Sequence, residues 1–563
     1  MRMEPKSPSK HKFSINAFTQ HKGVLKVCIF LLVVVLFFVG CYFVFKPSGN
    51  ILSRSYYTVV VDCGSTGTRV NVYEWRIKYV ESENLPILMH SYPDNSTKGS
   101  IGRSSCQYHC LQTEPGLDKF VGNASGVRAS LESLILWAER LVPLERHGDT
   151  PIFVLATAGL RRLADEDARL VLDDVEAVLK EQSFLYKKSW IKVLSGKEEA
   201  YYGWVALNYK LGTLANSSRT STSGLLDLGG SSLQVVMEHD VIGDGKHLIR
   251  SEIGLIEHRI LAYSLPAFGL NEAFDRTVAI LSQLKTPKEG TSDRVEIKHP
   301  CLKSDFVQNY TCYACAQQNI SDQEIFSGQI QRTNPASIYL VGDPNWEQCR
   351  GLARVVAINS SKLEWSHPII GKNCKAGLSY SSGRNILNVT SIAHPTGHFH
   401  ALSGFFVVYN KLNLSSRANL TKVWEKGKQL CSRSWTDLSY NTKNQNYAAQ
   451  HCFQVPYMAS LIEEALCLGE AEIIFGPGDL SWTLGAALIE GRYLWRSIIE
   501  AQTSFSILKH AEVLSSPIYL FLFLLILLSV VYCSQIKIPM PGQKAPNVGV
   551  SLPSYVHPKR RPN

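Results

Sequence analysis

Val59-Val-Val-Asp-Cys-Gly-Ser-Thr-Gly-Thr-Arg-Val-Asn-Val-Tyr-Glu-Trp75 decides how the rest of the 563-residue chain is read. An apolar run enters a turn of small and hydroxyl-bearing residues, and an alternating run leaves it, the pattern of a hairpin between two strands. Gly64, Ser65, Thr66, Gly67 and Thr68 offer hydroxyls and backbone amides that donate to phosphate oxygens. Asp62, at the lip of the turn, is a carboxylate suited to holding a divalent cation through the cation's water shell. Such turns are common, so one hairpin alone carries little weight. A second copy follows: Gly224-Leu-Leu-Asp-Leu-Gly-Gly-Ser-Ser-Leu-Gln-Val-Val-Met237. Asp62-x-Gly64-Ser65-Thr66 is matched, 165 residues later, by Asp227-x-Gly229-Gly230-Ser231. The repeat predicts two lobes of one plan, each aiming a hairpin loop at a common cleft.

The chain between the hairpins alternates strand and helix patterns, which argues for an α/β body. Val127, Leu131, Leu134, Ala138 and Leu141 keep the spacing of one helix face. Ile152 to Ala156 is a β-like run delivering Thr157-Ala-Gly-Leu-Arg-Arg, and a second amphipathic helix spans Asp165 to Gln182. A short strand, Ile191 to Leu194, precedes Ser195-Gly-Lys-Glu198, a capping box that opens a helix through Tyr209. The cap occupies Glu198 and leaves its neighbour Glu199 free, a second acid beyond what capping needs. Residues 290–450 carry few long periodic stretches, as expected of disulfide-tied insertions. Tyr457 to Leu468 recovers a helical pattern. Glu472 to Phe475 is a strand ending in Gly476-Pro-Gly-Asp-Leu-Ser-Trp482, followed by a helix through Ile499.

Charge and cysteine usage place the body relative to a membrane. Residues 1–26 hold six Lys or Arg against one Glu, and residues 534–563 hold five against no acid, so the tails carry the whole net charge of +10. A near-neutral body lacks the basic footprint of nucleic-acid binding. Val27 to Phe45 is 19 residues without a charge, and an apolar run covers 517–536, so both approach the length of a spanning helix. Basic tails outside both runs predict cytosolic termini and a lumenal or extracellular body. Two membrane helices also leave room for homo-oligomeric association in the bilayer.

Sequons at Asn95, Asn123, Asn216, Asn309, Asn319, Asn359, Asn388, Asn413 and Asn419 all lie between the apolar runs. So do Cys106, Cys110, Cys301, Cys312, Cys315, Cys349, Cys374, Cys431, Cys452 and Cys467, enough for five disulfides, with Cys63 left as a buried thiol. Cys312-x-x-Cys315 also has the form of half a zinc site or a redox pair, but no matching partner pair follows, which favours a structural disulfide.

Five stretches now stand in order: Asp62–Arg69, Ala156–Arg161, Ser195–Trp204, Leu226–Ser232 and Phe475–Trp482. Together they resemble the five conserved regions of the nucleoside triphosphate diphosphohydrolases, or apyrases, most like the plant two-span membrane forms. The resemblance implies a two-lobed actin-like (ribonuclease H-like) ATPase fold between two transmembrane helices. Its boundaries are a cytosolic tail at 1–26, a span at 27–45, lobe I at 55–195 plus 473–500, lobe II at 196–472, a span at 517–536 and a tail at 537–563. It implies hydrolysis of nucleoside tri- and diphosphates with Ca²⁺ or Mg²⁺ held through water by Asp62 and Asp227. Glu199 would be the base, Ser232 and Gln234 would position water, and Thr157 would lie close by. Gly64–Thr68 and Gly229–Ser231 would grip phosphate, and Trp482 would support the site. Trp435, Tyr440, Tyr447, Phe453 and Tyr457 stand in the region expected to stack on a base. Cys63 is more like the Golgi and lysosomal members than the cell-surface ones, so the compartment is either endomembrane or plasma membrane. The alternatives are an exopolyphosphatase-like hydrolase of the same fold and a non-catalytic nucleotide-binding glycoprotein. No Walker Gly-x-x-x-x-Gly-Lys-Ser/Thr run is present, which excludes a P-loop enzyme.

Overall fold

Both hairpins form, and each starts a sheet of the same plan. The computed structural model describes residues 55–76, 85–94, 111–214, 221–239, 247–253, 256–266, 268–284, 296–316, 336–358, 398–417, 419–432, 450–492 and 522–529. The first sheet contains β1 (Ser55–Cys63), β2 (Thr68–Arg76), β3 (Ile87–Tyr92), the two-residue β4 (Gln112–Thr113), β5 (Ile152–Ala156) and β6 (Ile191–Val193). Its order is β3-β2-β1-β5-β6, with β4 beside β2. Val59, Val60, Val61 and Cys63 are all buried, so the unbroken apolar run of β1 reflects a central strand covered on both faces. One face packs against α1 (Ala124–Leu141) and α3 (Asp165–Leu179), with the short α2 (Ala158–Arg161) between them in sequence. The three acids opening α3, Asp165, Glu166 and Asp167, complement its N-terminal dipole.

The second half of the chain repeats the order. After α4 (Gly196–Leu211) come β7 (Gly224–Leu228), β8 (Ser232–Glu238), β9 (Leu248–Ile253), β10 (Ile256–Pro266) and α5 (Leu270–Leu284). An insertion supplies β11 (Glu296–His299), β12 (Val307–Cys312) and β13 (Ala336–Gly342), a separate three-stranded sheet with β13 in the centre. The remaining elements are α6 (Trp346–Ala357), β14 (Phe399–Ser403), α7 (Gly404–Asn410), α8 (Leu420–Cys431), α9 (His451–Ser460), β15 (Ile473–Phe475) and α10 (482–492). The second sheet runs β15-β14-β7-β8-β10-β9. In both sheets the first strand of the hairpin is antiparallel to the second and parallel to the strand on its other side.

One expected boundary shifts. Ile473–Phe475, assigned to lobe I from sequence, is the outer strand of the second sheet, paired in parallel with β14. The chain turns toward the first sheet only beyond it, where Thr483 hydrogen bonds Tyr73 at 2.7 Å. Between the sheets lies one apolar cluster. Tyr56, Val60 and Trp75 from the first sheet, Leu225 and Val236 from the second, Trp204 from α4 and Leu484 from α10 all belong to it.

Residues 52–499 form one compact unit, and the two ends of the chain form another. Val27 to Phe45 lies outside the described residues, as does most of 517–536. The described part of the terminal unit is a helix at 522–529 that exposes Phe523, Leu524, Leu525, Leu527 and Leu528. Among the described residues, no helix is long and apolar enough to cross a membrane.

Candidate active site

Register places the two aspartates on equivalent rungs. In the first hairpin Asp62 faces Arg69 and Cys63 faces Thr68, and the loop closes where Gly64 N donates to Gly67 O at 3.0 Å. In the second, Asp227 faces Gln234 and Leu228 faces Leu233, and Gly229 N donates to Ser232 O at 2.9 Å. The tips meet, because the Ser231 hydroxyl donates to Ser65 Oγ at 3.1 Å. The carbonyls of Gly229 and Gly230 accept from the amides of Leu270 and Asn271 at the start of α5. Across planar trans peptides this turns the N–H groups of Gly230 and Ser231 away from α5. Gly269 permits that docking. A Cβ there would fall 2.3 Å from Ser231 N and 2.4 Å from the carbonyl carbon of Gly230.

The parallel strands bring the remaining groups. Beside β1, β5 ends so that Thr157 N donates to Cys63 O at 3.1 Å, leaving buried Thr157 next to the first loop strand. Beyond β6 the capping box is present: Ser195 Oγ accepts from Glu198 N at 3.2 Å, and the Glu198 carboxylate accepts from Ser195 N at 2.8 Å. Glu199 is not free, as its spacing suggested. Its side chain is 13% exposed and paired with Arg161 at 2.7 Å, and Arg161 also donates to Leu194 O at 3.0 Å. Gln234 Nε2 donates to Ser232 Oγ at 2.7 Å. The serine oxygen is thereby used as an acceptor, and its proton is left to donate.

These placements concentrate negative charge. Burial pushes the Asp62 carboxyl up to about 6, against the lowering effect of Arg69 at 3.4 Å, and Glu199 adds to the rise. Asp227 is also raised to about 6, again chiefly by desolvation; a hydrogen bond with Ser403 lowers it, and Glu199 and Asp62 raise it. The three carboxylates therefore repel one another across one site, and a bound cation would relieve both terms. Hard oxygen donors suit Ca²⁺ or Mg²⁺. Among the described residues no three acidic, histidine or cysteine groups converge closely enough to ligate a metal directly.

Trp482 is buried at the start of α10. Its ring lies over Tyr202 with centroids 6.5 Å apart. A Cβ on Gly203 would fall 2.7 Å from Leu225 Cδ2 of β7, while Trp482 Cβ and Asp227 Oδ2 stand at ordinary contact, 3.8 and 3.9 Å. Phe453 and Tyr457 are corrected. Both are fully buried and stack on each other at 5.2 Å, and the Tyr457 hydroxyl donates to Phe268 O, so neither is available to a base. Trp435, Tyr440 and Tyr447 lie outside the described residues. A cleft of about 370 Å³ opens beside the loop tips, lined by Ser65 and Ser231 and by Arg162, Glu272, Tyr310 and Tyr313.

Disulfides join Cys301 to Cys349, Cys312 to Cys315 and Cys431 to Cys452, and Cys467 is also disulfide-bonded. Cys312-x-x-Cys315 is thus a disulfide and not half a zinc site. Cys63 is a buried free thiol, and Cys106, Cys110 and Cys374 lie outside the described residues. Of the sequons, Asn123, Asn309, Asn413 and Asn419 are described, and all four are exposed. Asn95, Asn216, Asn319, Asn359 and Asn388 fall outside the described residues.

Sequence reasoning missed three contributors. Arg161 was within a recognised stretch but had no role until its partner was seen. Arg69 spans the first loop by donating to Thr66 at 2.9 Å. Ser403, with φ of 51°, reaches Asp227 from the end of β14 and has no sequence signature.

The comparisons with known proteins agree with this geometry. Residues 52–495 match the GDA1/CD39 (nucleoside phosphatase) family. The chain is 38% identical to probable apyrase 7 of Arabidopsis thaliana over 541 residues, 93% of this chain and 69% of that one. It is 25% identical to a guanosine-diphosphatase of Candida albicans over 460 residues, 77% of this chain and 70% of that one. A crystal structure of nucleoside triphosphate hydrolases from Neospora caninum superposes with a TM-score of 0.53 at 15% identity, covering 81% of this chain and 96% of that one, so the mixed α/β, actin-like fold is shared. Two matched hairpins, the family match over most of the body and the apyrase relative lead to one conclusion: this chain belongs to the GDA1/CD39 nucleoside phosphatases and is a hydrolase.

Proposed function

We propose that the protein is a membrane-anchored apyrase that cleaves the terminal phosphoanhydride of nucleoside tri- and diphosphates by in-line attack of water. The observation that carries this reading is the equal register of the two hairpins, which sets Asp62 and Asp227 on equivalent rungs within electrostatic reach of Glu199 on α4. Ca²⁺ or Mg²⁺, held through water by Asp62 and Asp227, would supply positive charge to the phosphate oxygens. The amides and hydroxyls of Gly64–Thr68 and Gly229–Ser231 bind the phosphates from two sides. Glu199, fixed by Arg161, accepts the proton of the attacking water, while Ser232 and Gln234 orient that water and Thr157 lies beside it. The new bond joins water oxygen to the terminal phosphorus, the anhydride bond breaks, and the shortened nucleotide leaves. The near-neutral body disfavours a long polyanion as substrate.

The two apolar runs would anchor the chain with both tails cytosolic and the body lumenal or extracellular, where its disulfides and sequons belong. The test uses the full chain purified in detergent, with phosphate release followed from a panel of nucleoside di- and triphosphates in Ca²⁺, Mg²⁺ or chelator. Release that depends on the cation and on Glu199 supports the reading. Binding without release by the unaltered protein would replace it with a nucleotide sensor.

A further inference from the structure

The cleft beside the loop tips has a sequon on its wall. Asn309-Tyr310-Thr311 lies in β12, an edge strand of the inserted sheet. Strand alternation turns Tyr310 inward, where its hydroxyl donates to Asp275 Oδ1 at 3.1 Å, and leaves Asn309 and Thr311 exposed. The two exposed residues nonetheless belong to the lining of the cleft, together with Ser65 and Ser231 of the loop tips. Asn309 Oδ1 accepts from Ser337 Oγ at 2.8 Å across the strand pair, which orients the amide and leaves Nδ2 for modification. Cys312, the next residue after the sequon, is in a disulfide, the mark of an oxidising compartment in which asparagine glycosylation takes place.

The other described sequons differ in place. Asn123 and Asn419 cap α1 and α8 through Gly126 N and Lys422 N, and Asn413 occupies a turn with φ of 51°. None of them lines the cleft.

We propose that Asn309 carries an N-linked glycan that acts as a steric filter at the mouth of the cleft, admitting free nucleotides and excluding nucleotides attached to macromolecules. In its formation the Asn309 amide nitrogen bonds to the anomeric carbon of an oligosaccharide carried on a lipid diphosphate; the diphosphate leaves with the carbon–oxygen bonding pair and the amide releases a proton. The glycan is bulky and hydrated, and it stands at one rim of a space of about 370 Å³, so its effect falls on ligand size and not on chemistry. The filter refines the nucleotide reading above and rests on it for its ligand.

The experiment compares the full chain from a eukaryotic secretory host with Asn309→Gln, Thr311→Ala and, as a control, Ser415→Ala, which removes the sequon at Asn413. Peptide mass spectrometry after enzymatic deglycosylation in water labelled with oxygen-18, which leaves the label in the aspartate formed, reads occupancy at Asn309. Affinity and hydrolysis are measured for a free nucleoside triphosphate and for the same nucleotide coupled to dextran. The expected result is an occupied Asn309 and a ratio of coupled to free affinity that rises about tenfold in Asn309→Gln and Thr311→Ala, equivalent to about 1.4 kcal/mol of relieved crowding, and stays unchanged in Ser415→Ala. Enzymatic trimming of glycans on the folded wild type should raise the ratio likewise, independently of any folding defect. An unoccupied Asn309, or an equal ratio in all forms, overturns the filter. Nucleotide binding without hydrolysis in every form would instead sink the apyrase reading while leaving the affinity ratio to decide the filter.

Discussion

The two hairpins share a register and differ in what faces each aspartate. Asp62 has a cation opposite it, Arg69, whose guanidinium also braces Thr66 within the same loop. Asp227 has a neutral amide opposite it, Gln234, which is turned to Ser232. The first loop is therefore held by its own arginine, and the second by the amides opening α5. We propose that the difference divides the work: a duplicated scaffold supplies two equivalent carboxylates and two phosphate-binding loops, and Gln234 with Ser232 adds water orientation in the second half alone. Glu199 belongs to neither hairpin. It arrives on α4, which packs between the sheets and is steadied from the first half by Arg161.

The largest effect should follow from removing the group that belongs to neither half. Glu199→Gln keeps the shape but not the base, and base catalysis typically contributes about 10²–10⁴ in rate. Turnover in steady-state phosphate release should fall by that factor with nucleotide affinity retained. Near-normal turnover would end the assignment. Next comes the facing position itself. Gln234→Ala frees Ser232 from its donor, and loss of positioning on this scale costs about 10²-fold. We expect the loss in kcat with KM little changed, whereas Arg69→Gln should act mainly on KM. The same kcat and KM response in both variants would remove the division of labour between the hairpins.

Much of this arrangement is legible in sequence because it is local. A hairpin's register follows from its loop length, so Asp62 with Arg69 and Asp227 with Gln234 are fixed within eight residues. The capping box at Ser195 is likewise contained in four residues. What sequence did not show depends on strand order. Arg161 meets Glu199, 38 positions away, only because β5 and β6 lie side by side in parallel. Ile473–Phe475 is too short to declare its sheet, and pairing with β14 decides it. Phe453 and Tyr457 illustrate another limit. The whole of α9 is buried, so an aromatic residue there has the composition of a base-stacking surface and the position of a core residue.

A smaller effect should separate the supports of the two loops. Gly269→Ala places a methyl group against the backbone of Gly230 and Ser231, with no flexible side chain to yield. Overpacking of this kind costs about 1–3 kcal/mol, and here the second loop must shift to relieve it. KM for nucleotide should rise severalfold along with a lowered thermal midpoint. At Gly148 a Cβ meets nothing within 4 Å, so Gly148→Ala should do neither. At Gly159, under the first loop, the nearest approach is Ser65 Cα at 3.1 Å, and the same substitution should be milder. Equal effects at Gly159 and Gly269 would contradict the claim that the second loop is set by external backbone contacts.

The smallest expected effect comes from the inserted sheet, which the first half lacks. His299 ends β11 fully buried, with Nδ1 accepting from Cys301 N at 3.1 Å and Nε2 against the Thr277 hydroxyl at 2.8 Å. An amide hydrogen already points at Nδ1, so a second proton there has no acceptor. Burial holds its folded-state pKa at about 3, against an ordinary 6.5. Between those values the unfolded chain binds a proton that the folded chain refuses. The neutral ring's contribution is therefore complete above about 6.5 and is lost as pH falls toward about 3, with a slope of at most about 1.4 kcal/mol per pH unit. His299→Gln retains a donor and an acceptor but does not titrate. It should lower the urea midpoint at pH 7, and its deficit relative to wild type should shrink by pH 5. A deficit that is constant with pH would show that His299 contributes packing and hydrogen bonds alone. A shrinking one would locate part of the protein's acid sensitivity in the feature that makes its two halves unequal.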